Sequence, residues 1–110
     1  MNYEEMSDLQ INLLVANAIG VDAAENSGVV FGAVKHEGDN VVSVMGVVDY
    51  CNNPSDAMPI LTENKIGFKW VNGSCTASSV LRGYHESESE KPLRAAMIVF
   101  LMMEDAKNAD

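Results

Sequence analysis

The segment that most constrains this chain is Ala95 to Met103, nine consecutive apolar residues reading AAMIVFLMM. On a helix of 3.6 residues per turn, such a run leaves no polar face. It is far short of the ~20 residues that cross a bilayer. It must therefore be a helix buried inside protein, with other elements packed around it. Pro92 suits its first turn, and the charged stretch from Glu104 to Lys107 marks where it leaves the core.

The rest of the chain has to supply that cover. Ser7 and Gln10 have capping-box spacing, Met6 and Ile11 have staple spacing, and Asp8 suits a first helical turn. Ile11, Leu14, Val15 and Ala18 form an apolar stripe, and Gly20 is a natural stop, so a helix is predicted over about 7–19. Residues 21–27 read as a polar connector. Val29 to Val34 and Val41 to Val48 are β-branched runs separated by Lys35 to Asn40, which predicts a hairpin with a polar loop. The second run has little polar face, so it is expected to be central and covered on both sides.

Asn53-Pro54 opens a second helix over about 54–63, which Pro59 should kink or divide. From Lys65 to Val71, Ile66, Phe68 and Trp70 alternate with Lys65, Gly67 and Lys69. Asn72-Gly73 then predicts a tight turn and a return strand over 75–82. The stretch GYHESESE, residues 83–90, reads as an acidic loop. The resulting expectation is one α+β domain over 1–110, ordered α-β-β-α-β-β-α, with three helices on a four-stranded antiparallel sheet of two hairpins. Its 110 residues suffice to bury about two-thirds of the unfolded surface.

Charge and cysteines narrow the function. Sixteen acidic residues against seven basic ones give a net charge of −9, which argues against general nucleic-acid or anionic-membrane binding. Residues 1–34 hold Glu4, Glu5, Asp8, Asp22 and Glu25 and no Lys or Arg. MNYEEMSD is no secretory leader. Cys51 and Cys75 lack metal-ligand spacing, so free thiols in a reducing bacterial cytoplasm are expected.

No phosphate-loop, dinucleotide, zinc-protease or nucleophile-elbow motif is present. His36 and His85 fall in predicted polar loops, where nothing local supports a Cys-His nucleophilic pair, and Glu86, Glu88 and Glu90 read as a solvated face. No cofactor, metal or catalytic residue is therefore expected, nor an enzyme.

Two places stand out. Asp49-Tyr50-Cys51-Asn52-Asn53-Pro54 joins a strand to a helix start, where free amides attract anions or polar groups. Plain capping by Asn53 and Asp49 is the simpler reading. Arg94 opposes the dipole of the last helix and so needs a partner. That partner is either a surface glutamate among Glu86, Glu88 and Glu90, or Asp49 or Asp56. The second choice would gather Asp49, Tyr50, Asn52, Asn53, Asp56 and Arg94 into one binding site. Trp70 is expected in the core beside Phe68 and Ile66.

The stretch from Asp49 to Ile60, continued by Glu63-Asn64-Lys65-Ile66, resembles the central motif of the NinX-like family of lambdoid phages. Pro92-Leu93-Arg94 through Met103 resembles its C-terminal motif, and the helix ending Ala18-Ile19-Gly20 is similar too. The chain departs at Met58, where the family pattern has an aromatic, and at Lys91, where it has Asn. The resemblance implies a small accessory phage protein in the bacterial cytoplasm and implies no reaction. With the residues, it suggests a non-enzymatic protein that binds a host protein or defence component. The alternatives are a small polar ligand such as a nucleotide signal and, less favoured, DNA mimicry by the acidic surface. An edge strand at 29–34 would offer a route to a homodimer.

Overall fold

The computed structural model describes residues 2–34, 44–81 and 83–108. Three helices pack with two separate three-stranded antiparallel sheets. The α+β class and the three helices agree with the sequence, but the single four-stranded sheet does not. A short 3-10 turn, Tyr3–Glu5, precedes helix α1, Asp8–Ala18. The first sheet follows, with β1 (Asp22–Asn26), β2 (Val29–Val34) and β3 (Val44–Val48) in sequential order. After α2 (Pro54–Asn64) comes the second sheet, with β4 (Gly67–Val71), β5 (Ser74–Ser79) and β6 (His85–Ser89), also sequential. Helix α3, Pro92–Asn108, closes the order.

Each extra strand has a local cause. Residues 22–26 were expected to be a connector because they contain no β-branched residue. Ser27 (φ 54°) and Gly28 (φ 83°) both take left-handed backbone and turn the chain back, pairing Asn26 with Val29. Such a turn matches strand twist, so it makes β1 a strand despite weak propensity. The GYHESESE stretch is a strand too. Ser87 points inward between exposed Glu86 and Glu88, an alternation with serine where an apolar residue is usual.

The added strands change which edges are open. β2 lies between β1 and β3 and is paired on both sides, so 29–34 is no edge and offers no dimer seam. β3, expected to be central and covered, is an edge strand with Val47 56% exposed. The predicted polar loop at 35–40, the first residues of the predicted strand at 41–43, and Arg82 lie outside the described residues.

The apolar run behaves as expected, since Ala95 through Leu101 and Met103 are all buried on α3. Helix α3 lies over β5 and β6, with α1 and α2 beside it. The inner face of β5 carries Cys75, Ala77 and Ser79, small residues that leave room for the bulky helix. α1 has its capping box, but its buried face is Ile11, Asn12, Val15 and Ala16, while Ala18 is exposed. Pro59 sits on the exposed side of α2, which runs through it undivided to a left-handed Lys65.

Candidate functional site

The starts of the three helices are tied together by one carboxylate that no motif singled out. Asp8, in the first turn of α1, receives Arg94 Nη1 from the first turn of α3 at 2.6 Å, and Lys91 from just before it. It also accepts Asn52 Nδ2 from the approach to α2 at 3.2 Å. The same Asn52 amide reaches both oxygens of Asp49 at 3.1 Å. Asp49 in turn accepts Asn12 Nδ2 at 2.9 Å, and Asn12 Oδ1 accepts the backbone N–H of Cys51 at 3.1 Å. The result is a polar knot in which cations and amides from one segment meet carboxylates from another.

Arg94 is the strongest tie. Its side chain is only 12% exposed. Besides Asp8, its Nη2 donates to the carbonyls of Met6 at 2.5 Å and Glu4 at 3.2 Å. These belong to the end of the 3-10 turn, where carbonyls lack helical partners and attract a cation. The penalty of a cation at the start of α3 is thus offset by carbonyls and a carboxylate from the amino-terminal segment. The expected contact of Arg94 with Asp49 or Asp56 is not formed; Asp8 holds it, and Asn52 bridges from there to Asp49.

The other candidates serve the fold. Asn53 caps α2, its Oδ1 accepting Ser55 N–H at 2.9 Å, so that helix start is already satisfied. Asp56 Oδ2 accepts the Asp49 N–H at 3.0 Å. Tyr50 is buried in the core, and its phenol is pushed up by burial and then by the nearby Asp56 charge. Asp8, Asn12 and Lys91 were missed as members. The available signal was the i, i+4 spacing of Asp8 and Asn12, which puts a poor helix former beside Ile11 on the buried face.

The network sets the electrostatics of its neighbourhood. Burial alone would raise Asp8, but hydrogen bonds from Lys91, Asn52 and Arg94, with the Lys91 charge, outweigh it and hold the carboxyl below its usual range. Burial, with the Asp8 charge next, pushes the Cys51 thiol up to about 12, so it is a poor nucleophile at neutral pH. A pocket of about 200 Å3 opens beside the knot between Asp8, Asn12 and Asp49 and the valines Val29 and Val47. Its polar rim is acid and amide, a poor match for phosphate. Among the described residues, no cluster of three His, Cys, Asp or Glu could hold a metal ion.

The family model described as Bacteriophage P22, NinX matches residues 2–104. The chain belongs to the NinX family. No curated protein matches it. Both stretches that resemble NinX motifs lie within the matched span and supply opposite halves of the knot. Asn52 and Asp49 come from the first, Arg94 from the second. None of the described helices is long and apolar enough to cross a membrane.

The second sheet is the opposite of this site. Phe68 and Trp70, expected in the core, are exposed, Trp70 by 60%. They lie on the inner face, opposite Ala77 and Cys75 of β5. Helix α3 covers β5 and β6 and meets β4 only at its margin, which leaves both aromatics partly exposed. Val71 continues the exposed strand, and Val80, Leu81 and Tyr84 add apolar surface around the end of the sheet.

Proposed function

We propose that this chain is a non-enzymatic phage accessory protein that binds a host protein, such as a defence component, in the bacterial cytoplasm. The observation that carries this reading is the exposed aromatic strand β4 with Phe68 and Trp70. Contiguous exposed apolar surface of this kind marks interaction sites, and Trp is among the residues most enriched where binding energy concentrates. The knot supports the reading by contrast, because its side chains are engaged in holding the helices together. The nucleotide alternative draws no support from the geometry, since Arg94 and the α2 amides have internal partners.

The test is capture from host lysate on the immobilised chain, alongside a Phe68→Ser/Trp70→Ser variant. The expected result is one host protein retained in stoichiometric amount by the native chain and lost with the variant. Recovery of no stoichiometric protein would overturn the reading.

A further inference from the structure

We infer that the free edge of β4 accepts an extended, acidic segment of a partner protein as an added antiparallel strand. The inference rests on the protein-binding reading above and specifies both the geometry and the charge of what is bound.

The edge is open in the required sense. Among the described residues β4 pairs with β5 alone, so one side of its backbone has no strand partner there. All five of its residues are exposed. Backbone groups on such an edge are a template for strand addition, and side-chain shelves beside it give selectivity. Phe68 and Trp70 provide that shelf on the inner face, where the added strand would lie past the margin of α3.

Charge identifies the partner. Residues 65–85 contain Lys65, Lys69 and Arg82 and no Asp or Glu, the only long cationic stretch in a chain of net charge −9. Lys65 and Lys69 are exposed and make no ion pair among the described residues. Lys69 stands on the outer face opposite Thr76, whose other neighbour is Glu88 of β6. On the free side of β4, no carboxylate among the described residues pairs with it.

A lysine at this position acts as a filter. Two copies of β4 paired symmetrically about Lys69 would set like charges across the seam, which is destabilising. A strand carrying Asp or Glu there reverses the sign. The other edges lack this combination. β1 and β6 carry acidic residues and repel an acidic segment, while β3 carries neither a charge nor an aromatic. A five-residue strand is also short for a stable homodimer, whose interfaces usually exceed about 1,000 Å2.

Trp70 is the only tryptophan in the chain, so its emission reports directly on this strand. The probe is a short acetylated peptide alternating valine and glutamate, titrated into the full chain. The expected result is a saturable blue shift of Trp70 emission. A valine–lysine peptide is expected to produce none, and the Val–Glu peptide N-methylated at alternate residues should lose its effect, because strand pairing needs those N–H groups. In Lys69→Glu the preference reverses, with the acidic peptide weakened roughly tenfold and the basic one now bound. Lys69 is exposed, so this variant keeps the fold, as circular dichroism verifies.

No shift with the acidic peptide, equal response to both charges, or indifference to N-methylation would each overturn the inference. So would peptide-free self-association that shifts Trp70 emission with concentration, since a second copy would then occupy the edge. A host protein that still binds Lys69→Glu with native affinity would sink this inference yet leave the host-protein reading standing.

Discussion

The polar knot and the β4 edge each hold two cations, in opposite states. Arg94 and Lys91 converge on Asp8, with the Arg94 guanidinium also held by backbone carbonyls. Lys65 and Lys69 extend from the surface with no ion pair among the described residues. The knot spends its carboxylates and its guanidinium on internal partners, whereas the edge leaves backbone and aromatics open. Polar residues grouped at helix starts therefore build this fold, and a stretch that looks like core in sequence faces solvent. The comparison predicts that damage to the knot is read in stability and damage to the edge in binding.

The largest effect should come from Arg94→Met. It leaves Asp8 with less compensation and the Met6 and Glu4 carbonyls without their donor. A loss of about 2–3 kcal/mol is expected, measured by urea unfolding. A loss below 1 kcal/mol would mean that the knot is decoration and the comparison fails.

Asn12→Ala should follow, at about 1–3 kcal/mol, because the Cys51 N–H and one Asp49 oxygen lose a buried partner. Its effect on capture of a host protein, corrected for the folded fraction, should be nil.

Acid titration tests Asp8 directly. Its carboxyl is held below the ordinary value of 3.8 in the folded chain. The resulting stabilisation is fully present above that pH and is lost as pH falls through the lowered folded value. Asp8→Asn should lower stability at neutral pH by about 1–2 kcal/mol. It should also flatten the acid limb of a stability-against-pH curve, and an unchanged limb would contradict the assignment.

Phe68→Ser/Trp70→Ser should cost about 1–2 kcal/mol, since each ring is partly covered and sits in a strand. Binding through β4 should be abolished. Ser87 gives a smaller effect of opposite sign. Its hydroxyl is buried beneath α3 without a hydrogen-bond partner among the described residues. Ser87→Ala should stabilise the protein by about 1 kcal/mol, seen as a higher urea midpoint.

Local signals made much of the frame legible. The Ser7 capping box, the Asn53 cap, the Asn72-Gly73 turn and the apolar run of α3 each depend on residues close in sequence, and each formed. What was hidden depends on neighbours. Glu86-Ser87-Glu88 lies in a strand with Ser87 packed inward beneath α3, a placement invisible in the GYHESESE stretch itself. Ile66, Phe68 and Trp70 alternate as a half-buried strand should, yet only Ile66 is covered, because α3 stops short of β4. In the knot, Arg94 is joined to Asn52 and Asp49 only through Asp8, and it contacts neither Asp49 nor Asp56. The link between them was not visible, since Asp8 lies more than forty positions from Asn52 and more than eighty from Arg94.

The two cysteines fall one to each region. Cys51 is tied to Asn12 in the knot, and Cys75 lies opposite Trp70 on β5, beside the open strand. Both thiols are buried and both are pushed up by that burial. A thiol reagent at neutral pH therefore reacts only with molecules that have opened locally or globally. Pulsed alkylation followed by mass spectrometry would thus time the opening of each half separately within one unaltered chain, and the slower clock would identify the half that unfolds last.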